Sequence, residues 1–170
     1  MLIRPETAED VSAIRALTKM AFAKVAYSSG TEAEIIATLR AADALSLSLV
    51  AEDAGTILGH VAFSPVRLDG RDEGWVGLGP ISVRPDRQGQ GLGGALIRTG
   101  LKQLQQLGAQ GCVLLGDPAY YGRFGFRAVD GLFYEDAPAE YFLALAFDGQ
   151  MPAGQVDFHE AFAVGPDTQV

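Results

Sequence analysis

The sequence predicts a single α/β domain with a mixed, largely antiparallel sheet flanked by helices. Three observations carry that reading. From Ser46 to Arg84 apolar residues recur at every second position, with short turn-rich connections and no helical stretch between them, so three strands follow one another. A strand, helix, strand unit then follows: Trp75 to Val83, about Gly91 to Leu107, and Gly111 to Leu115. Such a crossover makes its two strands parallel. Finally, 170 residues of which 48% are apolar can bury one sizeable core. No repeat or linker divides the chain, so residues 1–164 are read as one domain and 165–170 as a frayed tail.

Leu2 to Arg4 reads as a short strand, and Thr7 with Asp10 resembles a capping box opening a helix whose apolar face is Val11, Ile14, Leu17 and Phe22. Thr31 with Glu34 signals a second helix through Ile35, Ile36 and Leu39, with Tyr27 to Gly30 as the break between the two. These helices are placed to flank a substrate cleft. The turns Asp53-Ala54-Gly55 and Leu68-Asp69-Gly70-Arg71 suit an antiparallel meander. Pairing should break near Pro80, because proline has no N–H for a sheet ladder. Asp117-Pro118 starts a short helix that Gly125 stops. Two more strands are expected over Phe126 to Val129 and Tyr141 to Phe147, and Phe158 to Phe162 is apolar enough to dock on the body.

With 13 Lys and Arg against 21 Asp and Glu, the net charge of -8 disfavours nucleic acid, and no basic cluster is present. A cationic substrate suits that field. The single cysteine, Cys112, lies in the apolar run CVLL and reads as a structural thiol. The acidic N-terminus MLIRPETAED lacks a signal peptide's apolar stretch, and no segment reaches the roughly 18 apolar residues of a membrane span, so a cytoplasmic protein without membrane contact is expected. His159 and Glu160 lack further ligands, so no metal is expected.

Gln88-Gly89-Gln90-Gly91-Leu92-Gly93-Gly94 lies between a strand and a helix, where unpaired N–H groups and the helix dipole favour an anion. Four glycines in six residues cost helix propensity, which a flexible turn alone does not require. Gly89-x-Gly91-x-x-Gly94 matches the dinucleotide fingerprint by letter. In that fold, however, the first glycine follows the strand almost directly, whereas here Pro85 and other residues intervene after an antiparallel meander. Gly94-Ala95-Leu96 likewise departs from the Gly-Lys-Ser/Thr of a nucleotide-triphosphate loop.

Gln88-x-x-Gly91-x-Gly93, preceded by Ile81-Ser82-Val83-Arg84-Pro85, resembles the acetyl-CoA motif of the GCN5-related N-acetyltransferases (GNAT). Tyr121-Gly122-Arg123-Phe124-Gly125-Phe126 resembles the family's Tyr-x-x-x-Gly-Phe segment, and GDPAYYGRFGF looks like its YhbS-like bacterial subgroup. The resemblance implies an acyl-CoA N-acyltransferase fold, acetyl-CoA as co-substrate without a metal, and an amine acceptor that is a small molecule or a protein amine. A homodimer stays open. It also implies that the amides of Gln88, Gly89, Gln90, Gly91, Gly93 and Gly94 hold the pyrophosphate, while Ile81, Ser82 and Val83 pair with the pantetheine amides.

Acetyl transfer to an amine needs a neutral nucleophile, a stabilised oxyanion and a proton for the leaving thiolate. The resemblance implies Tyr121 as the general acid, with Tyr120 as the alternative. Many relatives carry a glutamate on the strand before the loop, where this chain has Gly77, Leu78 and Gly79. His60, on the neighbouring strand and on the face expected to hold Leu58 and Ala62, is the candidate base, alongside water relayed to a more distant acid. Glu32 and Glu34 sit where helix-dipole charges belong. A working acetyltransferase is the leading reading. A coenzyme-A-binding sensor or interaction module that lost catalysis is the alternative.

Overall fold

In chain order the residues form β1 (Leu2–Pro5), α1 (Val11–Phe22), α2 (Glu32–Ala41), β2 (Leu47–Asp53), β3 (Thr56–Pro65), β4 (Arg67–Leu68), β5 (Trp75–Val83), α3 (Leu92–Gln106), β6 (Gly111–Leu115), α4 (Pro118–Tyr121), β7 (Leu132–Phe133), β8 (Phe142–Ala146) and β9 (Gly154–Asp157). The computed structural model describes residues 1–26 and 28–163. The expected tail, 165–170, and Tyr27 of the interhelical break lie outside the described residues.

Six strands form one sheet in the order β1-β2-β3-β5-β6-β8. Only β5 and β6 run parallel in it, as the crossover through α3 demands. The hairpin turns hold Ala54 and Gly55, then Asp69 and Gly70, at positive φ, the geometry that matches the twist of antiparallel strands. The helices begin where their caps stand. The Asp10 carboxylate accepts from the Thr7 N–H at 2.7 Å, and Asp117 Oδ1 accepts from the Ala119 N–H at 2.9 Å.

The sheet is covered on both faces. On one side Leu49, Val61 and Phe63 pack with Leu96, Ile97 and Leu104 of α3; on the other, Val50 packs with Ile14 of α1 and Ile36 of α2. Cys112 is buried in the first cluster, and burial pushes its thiol up, which makes it a packing residue. The C-terminal segment docks as expected, with Ala161 against Ile35 and Leu39.

Two features position the site. Val61 faces Ile81 and Phe63 faces Leu78, so Gly79 and Pro80 together oppose the single residue Ala62. This is a bulge, at the place where the proline removes a ladder donor. In addition, β5 pairs with β6 only through Trp75 to Gly77. Beyond that the strands part, β5 continuing along β3 to Val83 and β6 along β8 to Leu115.

Three expectations are corrected. Phe126 to Val129 is not a strand: Phe126 is buried, but only Arg127 pairs, in a single bridge to Ala144, before the chain turns at Gly131, where φ is 89°. A second sheet, β4-β9-β7, went unforeseen, because runs of two to four residues are too short to show a period. Leu58 and His60 do not share a face. The register steps opposite Leu58, which turns toward Leu92 and Leu96, while His60 turns toward Ser48 on the α1 and α2 side.

Gly100 brings α3 close to the sheet, since a Cβ there would meet Phe63 Cε2 at 2.5 Å. Gly100→Ala is therefore expected to destabilise the fold by about 1–2 kcal/mol, overpacking outweighing the gain in helix propensity. Urea denaturation measures this, and a raised midpoint would show that propensity wins.

Candidate active site

Where β5 and β6 separate, a cavity of about 940 Å³ opens, lined by Leu78, Pro80, Ile81 and Leu115, with Phe22 of α1 and Tyr141 at its margin. A second cavity of about 560 Å³ lies over the start of α3. The two share Ile81, Tyr120 and Tyr121. They therefore adjoin as one groove, with two phenols at the junction.

The second cavity is built by the glycine segment. Gly89 and Gly91 have φ of 78° and 85°, a region that disfavours side chains, and Gly91 is the N-cap of α3. The helix thus opens with unpaired N–H groups facing the cavity. Gln88 Nε2 donates to the Val83 carbonyl at 3.0 Å, tying the loop back to β5. Three arginines, Arg87, Arg98 and Arg123, line the same cavity. The Arg123 guanidinium lies 4.6 Å above the Tyr120 ring and its Nε donates to the Tyr120 carbonyl at 2.9 Å, while Arg98 lies 4.9 Å over Phe124. Helix dipole and guanidinium charge together suit a polyanion.

Ile81, Val83, Gln88, Gly89, Gly91, Gly93 and Gly94 all line this cavity. Ser82 and Gln90 do not: Ser82 is buried on the opposite face of β5, paired with His60, and Gln90 is exposed. Arg98 and Arg123 went unforeseen in the sequence, although Arg98 follows Gly94 by one helical turn and Arg123 stands inside the tyrosine motif.

The tyrosines occupy α4 with ring centroids 4.9 Å apart, edge to face. They point differently. Tyr120 reaches the α3 start, its hydroxyl 3.4 Å from where a Cβ on Gly93 would stand. Tyr121 lies over Gly116 at the end of β6, where a Cβ would meet its ring at 2.4 Å. Both tyrosines border the gap between the parted strands, the Tyr121 ring packing at the end of β6.

A profile of the acetyltransferase (GNAT) family matches residues 12–126. The chain belongs to the GNAT acetyltransferase family. It is 44% identical over 128 residues to the N-acetyltransferase YhbS of Escherichia coli K12, covering 75% of this chain and 74% of that protein. A GNAT acetyltransferase from Brucella melitensis, solved in complex with acetyl-CoA, is 55% identical and superposes with a TM-score of 0.86, covering 95% of this chain and 97% of that one. E. coli YhbS, solved with CoA, superposes with a TM-score of 0.88 at 37% identity, covering 96% and 92%. The fold is accordingly that of the GNAT acyl-CoA N-acyltransferases.

In this GNAT chain His60 lies outside both cavities and is fully buried. Its Nε2 is 2.8 Å from Ser48 Oγ, Ser48 Oγ donates to Glu6 Oε1, and Arg40 Nε donates to Glu6 Oε2 at 2.8 Å. The Ser48 proton goes to Glu6, so Nε2–H donates to Ser48 and Nδ1 is unprotonated. Burial pushes the imidazole below its ordinary range. Burial alone would raise the Glu6 carboxyl, but His60, Arg40 and Ser48 together bring it down to about 2. Of the helix acids, Glu34 pairs with Arg15, and both Glu32 oxygens accept from Ser28 Oγ. No group of His, Cys, Asp and Glu among the described residues is arranged to hold a metal ion. Among them, too, no helix is long and apolar enough to cross a membrane.

Two outcomes are expected. Gly91→Glu places a carboxylate where the cavity favours anions and forces a side chain into positive φ, so acetyl-CoA affinity should fall at least tenfold by calorimetry. Affinity within twofold of wild type would remove the loop from the site. The second outcome concerns acid. Because His60 is held neutral when folded, below pH about 6.5 the unfolded chain binds a proton that the native chain refuses, and stability falls. Glu6 adds a further loss as pH drops from 4.5 toward about 2. The urea midpoint should decline between pH 7 and 5.5, and His60→Gln should flatten that decline. An unchanged slope would contradict the buried neutral imidazole.

Proposed function

We propose that the protein transfers an acetyl group from acetyl-CoA to an amine by direct attack in a ternary complex. The observation that carries this reading is the junction itself: a cationic, amide-rich cavity meets the gap between β5 and β6 at two tyrosines. The amides from Gln88 to Gly94 hold the pyrophosphate, and Arg87, Arg98 and Arg123 add counter-charge. Past Gly77 the edge of β5 toward β6 has no strand partner, so its backbone groups at Ile81 to Val83, apart from the Val83 carbonyl that Gln88 engages, are available to an extended ligand with amides of its own.

Acetyl-CoA supplies an activated acyl thioester. The amine nitrogen forms the new C–N bond, the C–S bond breaks, and the sulfur takes a proton while the nitrogen gives one up. Tyr121 donates the proton to sulfur, since a phenol carries an O–H donor and this one borders the parted strands. His60 is assigned a structural role instead of that of base: it is sealed from both cavities and braces β2 against β3 through Ser48 and Glu6. The nitrogen's proton leaves through water at the open mouth of the groove.

Thiol release from acetyl-CoA in the presence of amines tests the reading, and a sensor would bind the coenzyme without release. Tyr121→Phe removes the donor while the ring still packs on Gly116, so turnover should fall by roughly 10²–10⁴ with acetyl-CoA affinity nearly intact. Tyr120→Phe is the control. Full turnover in Tyr121→Phe with chemistry rate-limiting, or a larger loss in the control, would move the role elsewhere.

A further inference from the structure

The cavity between β5 and β6 also speaks about the acceptor. This deepens the acetyl-transfer reading and rests on it. The donor enters from the arginine-lined side and reaches the shared tyrosines, so the acceptor must come from the far end, between Phe22 of α1 and Tyr141 just before β8. That end is apolar. Leu115 and Tyr141, 45% and 46% exposed, form part of its margin, and both are large hydrophobic surfaces left open to water. Phe22, Tyr120, Tyr121 and Tyr141 supply four aromatic rings to the wall.

Among the described lining residues, Asp117 carries the only charge in this cavity. Its Oδ1 caps α4 by accepting from the Ala119 N–H, and its Oδ2 takes no hydrogen bond among the described residues. One carboxylate oxygen matches one ammonium. The neighbouring hollow between α1 and α2 shares Phe22, but among its described lining residues the one anion, Glu32, stands with a cation, Lys19, which offsets its pull on a long polycation. A second ammonium, or a ring of hydroxyls, would lie against Leu78, Pro80 and Leu115 without partners, and burying unpaired polar groups is costly.

We infer that the acceptor is a small monoamine: one primary ammonium on an apolar, aromatic-sized body, seated against Phe22 and Tyr141 with its charge toward Asp117. Aromatic walls bind such a body and attract its cationic end. Loss of a proton from that end to water then gives the nucleophile.

The test compares thiol release for 2-phenylethylamine, spermidine and kanamycin with saturating acetyl-CoA. The value of kcat/KM for 2-phenylethylamine should exceed the other two by roughly 100-fold. Asp117→Asn keeps a good helix cap while removing the charge, so KM for 2-phenylethylamine should rise about tenfold, with KM for acetyl-CoA within twofold. Preference for spermidine or kanamycin overturns the inference and leaves acetyl transfer standing, as does an Asp117→Asn variant with unchanged amine KM. If acetyl-CoA binds in calorimetry but no amine releases thiol, both readings fall.

Discussion

The step at Gly79 and Pro80 is the constraint on which the rest of the site depends. A sheet this well buried gains by pairing every backbone group, and β5 has neighbours on both sides at Val76 and Gly77. Two residues set against Ala62, one of them without an N–H, end that regularity. The strand stays on β3 but leaves β6. The resulting gap is walled by β5 and β6 together with Phe22 of α1, the tyrosines of α4 and Tyr141. Aliphatic residues line it because they are the core residues that would otherwise have packed across it.

Charge then divides the groove. Three arginines and the start of α3 make one arm cationic, while among the described residues the other arm carries a single carboxylate among aromatic rings. The net charge of -8 hides this division, since the cationic arm is a local exception in an acidic protein. His60 and Glu6 take no part in it. They form a buried polar brace beneath the sheet, held through Ser48 and Arg40 with His60 Nδ1 left without a partner, whose cost of burial appears as acid sensitivity.

What could be read from sequence was local in origin. Caps at Thr7 and Asp117, the turns at Ala54-Gly55 and Asp69-Gly70, and the break at Pro80 each depend on a residue's own backbone chemistry, and each stands where it was expected. The glycine segment was legible for the same reason. Features set by distant partners were not. The bulge at Leu58 reverses which residues share a face with His60, and nothing in Ile57 to His60 announces it. Arg98 and Arg123 converge only once α3 and the segment after α4 meet, and the strand pairs of the small sheet are shorter than any period.

The central claim is that the loop over α3 and the edge of β5 together hold acetyl-CoA. Hydrogen exchange read by mass spectrometry, with and without acetyl-CoA, addresses it directly. Binding should slow exchange across Ile81 to Val83 and Gln88 to Gly94, while the β1 edge, remote from the groove, keeps its rate. Saturable binding that leaves both segments unprotected and protects another surface would contradict the account.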